Sequence, residues 1–285
     1  MNKYSREKNN ISKYRKFGIT YNLSDKIIIF DTYFGLCNQI YDIHHGIKYC
    51  VENNIKFTFR YANFRKDDLL TYYNVNFEDL FDISLFKNIN LYVDLHTLDL
   101  NKTNTYNLDT NIIATKLLKH NIKYIQTIKE PYIVIKGMFQ LINNKEINTD
   151  ILNIIQPAPK IMEIYKNICN KLKLDKPYNF LHYRYEHDFT SLHNISNTAS
   201  LDIILNKIKF KNNEDNIYLA SSNIKNILKN NNLIYKNEDE LKELNFEERA
   251  FIDFMIGKNS REIYGHPKSS FSWMLNILKG TENYY

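Results

Sequence analysis

Glycine, proline and tryptophan are scarce in this 285-residue chain, at 7, 5 and 1 copies, and cysteine occurs three times. Cys37, Cys50 and Cys169 form no CxxC pair and leave an odd count, which argues against a disulfide framework and a cysteine-based zinc site. No HExxH, no DxD and no Cys/His grouping is found, so no metal is expected. The phosphate-loop pattern GxxxxGK[ST] and the dinucleotide glycine fingerprint are both missing, which argues against NAD and FAD. Lysines are dispersed, and no basic run carries interleaved aromatics, so nucleic acid is not an expected partner. No apolar window reaches membrane-spanning length, so no membrane partner is expected. The start, MNKYSREKNNISKYRKFG, has no apolar core of a secretory signal, and a cytoplasmic location is expected.

What is present is globular. Hydrophobic residues make up 44% and charged residues 25%, and the length allows one large domain or two ordinary ones. The net charge of +6 suits an anionic small ligand as readily as a polyanion.

Along the chain, residues 1–24 read as a basic arm. KIIIFD (Lys26 to Asp31) is a continuous apolar run, as in a buried parallel strand. From Asn38, the residues Ile40, Ile43, Ile47, Cys50 and Val51 recur at helical spacing and predict a helix to Asn53. NNIKFTFRY then gives a turn and a second strand, completing a βαβ unit. INLYV and PYIVIKG are further strand-like runs. A helix opened by Pro159 leads to the strand YNFLHYR, and strands and helices alternate from there to Gly280. The pattern is α/β, with expected domains at 25–155 and 156–285.

Three clusters fall at strand ends. In FGLCNQ (Phe34 to Gln39), Gly35 permits a tight turn or close approach to a ligand, and Asn38 lies by a helix N-terminus that favours anions. By itself the same loop reads more simply as a plain βα connection with Asn38 as N-cap. In LHYRYEHDF, strand alternation puts His182 and Arg184 on one side. Arg184 offers a planar fork for a phosphate, or forms an ion pair with Glu186 or Asp188. In EIYGHPKSSFSW, a strand ends at Gly265, and Ser269 and Ser270 open a helix. They form either a phosphate cradle or a capped helix start. His44 and His45, adjacent on a helix, point apart and read as non-functional. Together the clusters suggest a phosphorylated ligand.

The ordered set of GLCNQ, FEDLFD, LHYRYEHDF, IYLAS and IDFMIGKNSREIYGHPKSSFS resembles the protein O-fucosyltransferase superfamily, with its plant-type and α1,6-fucosyltransferase relatives. Ser269 follows Asp253 by 16 positions, as in that family, and the motifs span residues 27–280. The resemblance implies a GT-B fold, two Rossmann-like domains facing a cleft, with the N-terminal domain on the acceptor side. It also implies an inverting transfer of L-fucose from GDP-fucose to a protein hydroxyl or a glycan, without an essential metal or other cofactor.

By position, Arg184 would bind the diphosphate and His182 the nucleotide, while Asp253 would lie by guanine or ribose. Ser269, Ser270 and Phe271, with the Gly265 loop, would hold phosphate and nucleoside, and Asn38 would reach the β-phosphate and sugar. The chain departs from the family at three points. Gly35 stands where one branch carries a glutamate base, which leaves Glu186 and Asp188 as base candidates and Asp42 as a poorer one. His266 and Pro267 stand where smaller or amide residues are expected, and the secretory signal of classical members is missing. Other donors (GDP-mannose, GDP-rhamnose or UDP-xylose) and a catalytically dead nucleotide-binding or partner-binding relative remain alternative readings.

Overall fold

The computed structural model describes residues 22–66, 70–101, 103–109, 122–138, 146–184, 189–190, 201–211, 216–221 and 233–285. Met1–Gln156 and Pro157–Tyr285 form two compact units.

The first unit is built on a five-stranded sheet. Its strands are β1 (Ile27–Asp31), β2 (Lys56–Arg65), β3 (Tyr72–Asn76), β4 (Thr105–Asp109) and β5 (Tyr132–Lys136), in the order β3-β2-β1-β5-β4. Only β3 runs antiparallel to its neighbour. The apolar run IIIF becomes the central strand because it is buried from both faces, with Ile28, Ile29 and Phe30 fully enclosed. Each such side chain contributes roughly 1.5–3 kcal/mol on burial. Helix α1 (Leu36–Glu52) follows β1, and the short α2 (Thr149–Ile154) comes late in the unit. The chain steps from β1 out to β2 and later returns to β5 on the other side of β1. This reversal leaves a crevice at the carboxyl end of β1, where ligands of open α/β sheets bind.

The second unit follows the same logic with four parallel strands. These are β6 (Tyr178–His182), β7 (Asn216–Ala220), β8 (Leu233–Ile234) and β9 (Ile263–Tyr264), in the order β8-β7-β6-β9. Its helices are α3 (Pro159–Leu172), α4 (Leu201–Lys211), α5 (Phe246–Asn259) and α6 (Ser270–Lys279). Pro159 opens α3, and Gly280 closes α6 in the left-handed conformation. Strand alternation divides the core. Leu181 and Tyr183 pack with Ile204, Leu205 and Ile208 of α4. Phe180 stacks on Tyr218 and meets Phe271 of α6. Here the order reverses at β6, so its carboxyl end is the second crevice.

Several expected elements differ. Helix α1 starts at Leu36 with Gly35 as N-cap, so Asn38 lies in the first turn and does not cap it. INLYV forms no strand. It contributes one isolated bridge, Phe57 with Tyr92, because its turns interrupt the pairing. Leu23 is buried in a 3-10 turn over Leu23–Asp25, so the expected arm does not extend to residue 24. Residues 1–21, the segment NIKNILKN, whose spacing predicts a helix, and Glu186 and Asp188 lie outside the described residues.

Candidate functional site

In the second unit the site is built around the end of β6. His182 is buried, and its Nδ1 lies 2.9 Å from Ser272 Oγ. Its ring lies 4.4 Å from that of Phe271. Burial holds the imidazole well below its ordinary pKa, and the neighbouring Arg184, Lys236 and His266 act in the same direction. His182 is therefore a neutral hydrogen-bonding group at neutral pH. Arg184 follows two residues on, half-buried, with its guanidinium carbon 4.5 Å from the centre of the Phe189 ring. His266 meets the other side of this corner, edge-on to Phe189 at 5.1 Å, and its Nδ1 accepts the Lys268 amide.

Gly265 has a packing reason. A Cβ there would sit 2.2 Å from Ser272 Oγ and 2.5 Å from Ser272 Cβ. Its bare backbone lets α6 approach β9 closely enough to deliver Ser272 to His182. The Ser269 hydroxyl caps α6, accepting the Ser272 amide at 3.5 Å. The capped-helix reading thus accounts for Ser269, while Ser270 is exposed at the first helical position. The N-terminal end of α6 is, by its helix dipole, a favourable place for an anion. The Phe271 ring packs at the floor between His182 and Phe254.

Asp253 projects from α5 into a buried ion pair. Its Oδ1 accepts from Tyr218 Oη at 2.8 Å, and its Oδ2 is bonded by the ammonium of Lys236. Both side chains are almost wholly enclosed. Sequence reasoning missed Lys236, Tyr218 and the role of Ser272. For Lys236 no signal was available, since a lysine two residues after a short strand looks like solvated surface.

In the first unit, the loop from β1 to α1 is held tightly. Gln39 is fully buried, and its amide is used at both ends. Oε1 accepts from Thr32 Oγ1 at 2.8 Å and from the Asn63 amide at 2.9 Å, and Nε2 donates to the carbonyls of Phe34 and Asn63. Asp42, the poorer base candidate, is buried and accepts the Tyr33 amide at 2.9 Å, so it serves the loop. Asp31 and Arg60 form a two-pronged pair at 3.0 and 2.6 Å.

Gly35 is not the residue that turns the chain. Phe34 adopts the left-handed conformation at φ 68°, whereas Gly35 has φ −68°. The glycine clears space, since a Cβ at position 35 would lie 2.3 Å from Arg65 Nη2. Arg65, at the end of β2, therefore lies across the loop, with its guanidinium 5.6 Å from the Tyr72 ring centre. Asn38 is half-buried in the first turn of α1 beside this loop. The sequence pointed to Asn38 and Gly35 but not to Arg65, which comes from a different strand.

His44 and His45 are both buried, and their rings meet edge to face at 4.9 Å, so they do not point apart. Among the described residues, no group of three or more His, Cys, Asp or Glu is placed to hold a metal. No helix among them is long and apolar enough to cross a membrane.

No protein-family model matches the chain, and no curated protein matches it in sequence. Solved structures share its fold. POFUT1 in complex with GDP superposes with a TM-score of 0.62 at 12% identity, covering 92% of this chain and 96% of that one. NodZ α-1,6-fucosyltransferase co-crystallized with GDP gives 0.55 at 10% identity, with 89% and 92% covered. A FUT1 mutant of Arabidopsis thaliana in complex with GDP gives 0.54 at 10%, with 99% and 74% covered. The chain therefore has the α/β, GT-B fold of these fucosyltransferases.

Proposed function

We propose that this chain is an inverting glycosyltransferase that takes a sugar, L-fucose in the first instance, from a GDP-sugar and passes it to a hydroxyl of a protein or glycan. The observation that carries the reading is the corner at the end of β6, where Arg184 lies next to a neutral His182 on a fold shared with proteins crystallised with GDP and GDP-fucose.

The chemistry needs such a corner. When the bond between the sugar and the β-phosphate stretches, negative charge grows on the phosphate and positive charge on the anomeric carbon. The acceptor hydroxyl attacks from the opposite face, its oxygen–carbon bond forming as the bond to phosphate breaks and its proton passing to solvent, so the configuration inverts. A guanidinium and the amino end of α6 stabilise the leaving phosphate where its charge develops. An imidazole kept neutral by burial accepts or donates a hydrogen bond without adding charge. In the first unit, Asn38 supplies an amide and Arg65 a second guanidinium at the equivalent strand end. The role of Asp253 beside the nucleoside is part of the proposal. The Lys236 ammonium and the Tyr218 hydroxyl hold that carboxylate in place. The Arg184 corner reads the diphosphate and not the base, so a UDP-sugar is the second reading.

The test is calorimetry of GDP and UDP binding to the wild type and to Arg184→Ala, followed by GDP release from a donor panel of GDP-fucose, GDP-mannose, GDP-rhamnose and UDP-xylose. We expect GDP selectivity and a 10²- to 10³-fold fall in kcat/KM for the variant. UDP preference would retain the fold and discard fucose. A folded protein that binds neither nucleotide would overturn the donor-site reading.

A further inference from the structure

Strand β6 keeps different company on its two edges. On the β7 side its hydrogen bonds continue past its end, with the Tyr183 amide donating to the Ala220 carbonyl at 2.9 Å. On the β9 side the pairing stops early, because β9 reaches only Phe180 and Leu181 in register. The carbonyl of His182 and the amide of Arg184 lie beyond that register. A side chain fills the place. Tyr285 Oη donates to the His182 carbonyl at 3.0 Å and accepts from the Arg184 amide at 2.9 Å. One hydroxyl thus does for this edge what a neighbouring peptide group does in a sheet, as both donor and acceptor.

The segment that presents Tyr285 is itself anchored. Asn276 of α6 is 1% exposed, and its Nδ2 donates to the Ser272 carbonyl at 3.0 Å. Its Oδ1 accepts from Thr281 Oγ1 at 2.7 Å and from the Asn283 amide at 3.2 Å. The Tyr285 amide then donates to the Gly265 carbonyl at 3.1 Å, and Tyr284 bridges Gly265 in parallel. The Tyr285 ring rests near Tyr183 and His266, at 6.2 and 5.9 Å between centres. The loop glycine, the helix asparagine and the tyrosine form one connected support ending on the peptide groups that flank Tyr183.

We infer that Tyr285 is a positioning residue for Arg184. It extends β6 by two residues along its β9 edge and so fixes the backbone from which the phosphate-binding guanidinium projects. This rests on the donor-site reading for its catalytic meaning, but the backbone claim stands on the hydrogen bonds themselves.

Tyr285→Phe removes the hydroxyl and keeps the ring, so the packing against Tyr183 and His266 is retained. GDP affinity is measured by calorimetry in wild type, Tyr285→Phe, Arg184→Ala and the double variant. Hydrogen exchange at the Arg184 amide is followed in the wild type and Tyr285→Phe. The expected result is a roughly tenfold weaker GDP affinity in Tyr285→Phe with little change in Tm, and no further loss when Arg184 is already alanine. The Arg184 amide exchanges faster. Wild-type affinity in Tyr285→Phe overturns the inference, as does an equal loss in both backgrounds, which would mark a general structural role. If the wild type binds no GDP, the donor-site reading has failed and exchange alone decides. Faster exchange confined to Arg184 keeps the positioning role, and unchanged exchange removes it.

Discussion

Lys236 and Asp253 show how much a single buried pair constrains this protein. Both charges are withdrawn from water, and each is tolerated because the other, with the Tyr218 hydroxyl, satisfies it. Lys236→Met fills the same volume but leaves the carboxylate uncompensated. We expect a loss of about 3 kcal/mol at pH 7, read as a lower denaturant midpoint. The loss should shrink as pH falls and the stranded carboxyl takes up a proton, since a neutral Asp253 no longer needs a cation. A variant as stable as the wild type at pH 7 would mean that the pair is solvated in solution. The family resemblance singled out position 253 by its spacing to Ser269, but nothing in the sequence marked its partner. Lys236 precedes Asp253 by 17 positions, across the 3-10 helix Glu238–Leu241 and the first half of α5, and only folding brings the two side chains together.

At the scale of elements, the contact between α6 and β9 is set by one missing side chain. Gly265→Ala would push a methyl into Ser272 Oγ and Cβ, and Ser272 is the residue that holds His182. Overpacking of this kind costs about 1–3 kcal/mol. We therefore expect a lower Tm together with weaker GDP binding, checked by thermal denaturation and calorimetry on the same sample. A variant with lowered Tm and unchanged nucleotide affinity would separate the helix contact from the site. The strands and helices of the second unit were largely legible, because hydrophobic period and turn residues are local signals. Helix α5 runs over Phe246–Asn259 and α6 over Ser270–Lys279, in the segments where helices were expected. INLYV misled because a short apolar run does not reveal whether a neighbour is present to pair with it.

For the whole molecule, pH is the informative variable. Burial lowers the pKa of His44 and of His45 to about 4, with Lys48 adding to both effects and His44 adding to that of His45. His44 Nε2 accepts the Asn148 amide at 2.8 Å, a bond that requires an unprotonated nitrogen. Unfolded histidines titrate near 6.5 and so bind more protons than the folded ones between about pH 4 and 6.5. Stability is fully present above that window and is lost as pH falls through it. The decline should be on the order of 1–2 kcal/mol per histidine. Urea midpoints at pH 7.0, 5.5 and 4.5 should fall in the wild type and fall less in His44→Gln/His45→Gln. Equal slopes in the two proteins would assign the acid sensitivity to other groups.

The sequence by itself determined the α/β rhythm, the central apolar strands, and the three stretches in which Asn38, Arg184 and Ser269 occur. These follow from local chemistry: period, turn residues and helix-start signals act over a few positions. Tertiary structure alone decided what those residues touch. It placed Arg65 in the space left by Gly35, Lys236 on Asp253, Ser272 on His182 and the Tyr285 hydroxyl on the edge of β6. Each pair joins residues far apart in the chain. Such a contact depends on strand order and on the close approach of helix to sheet, neither of which is written in the spacing of residues along one segment.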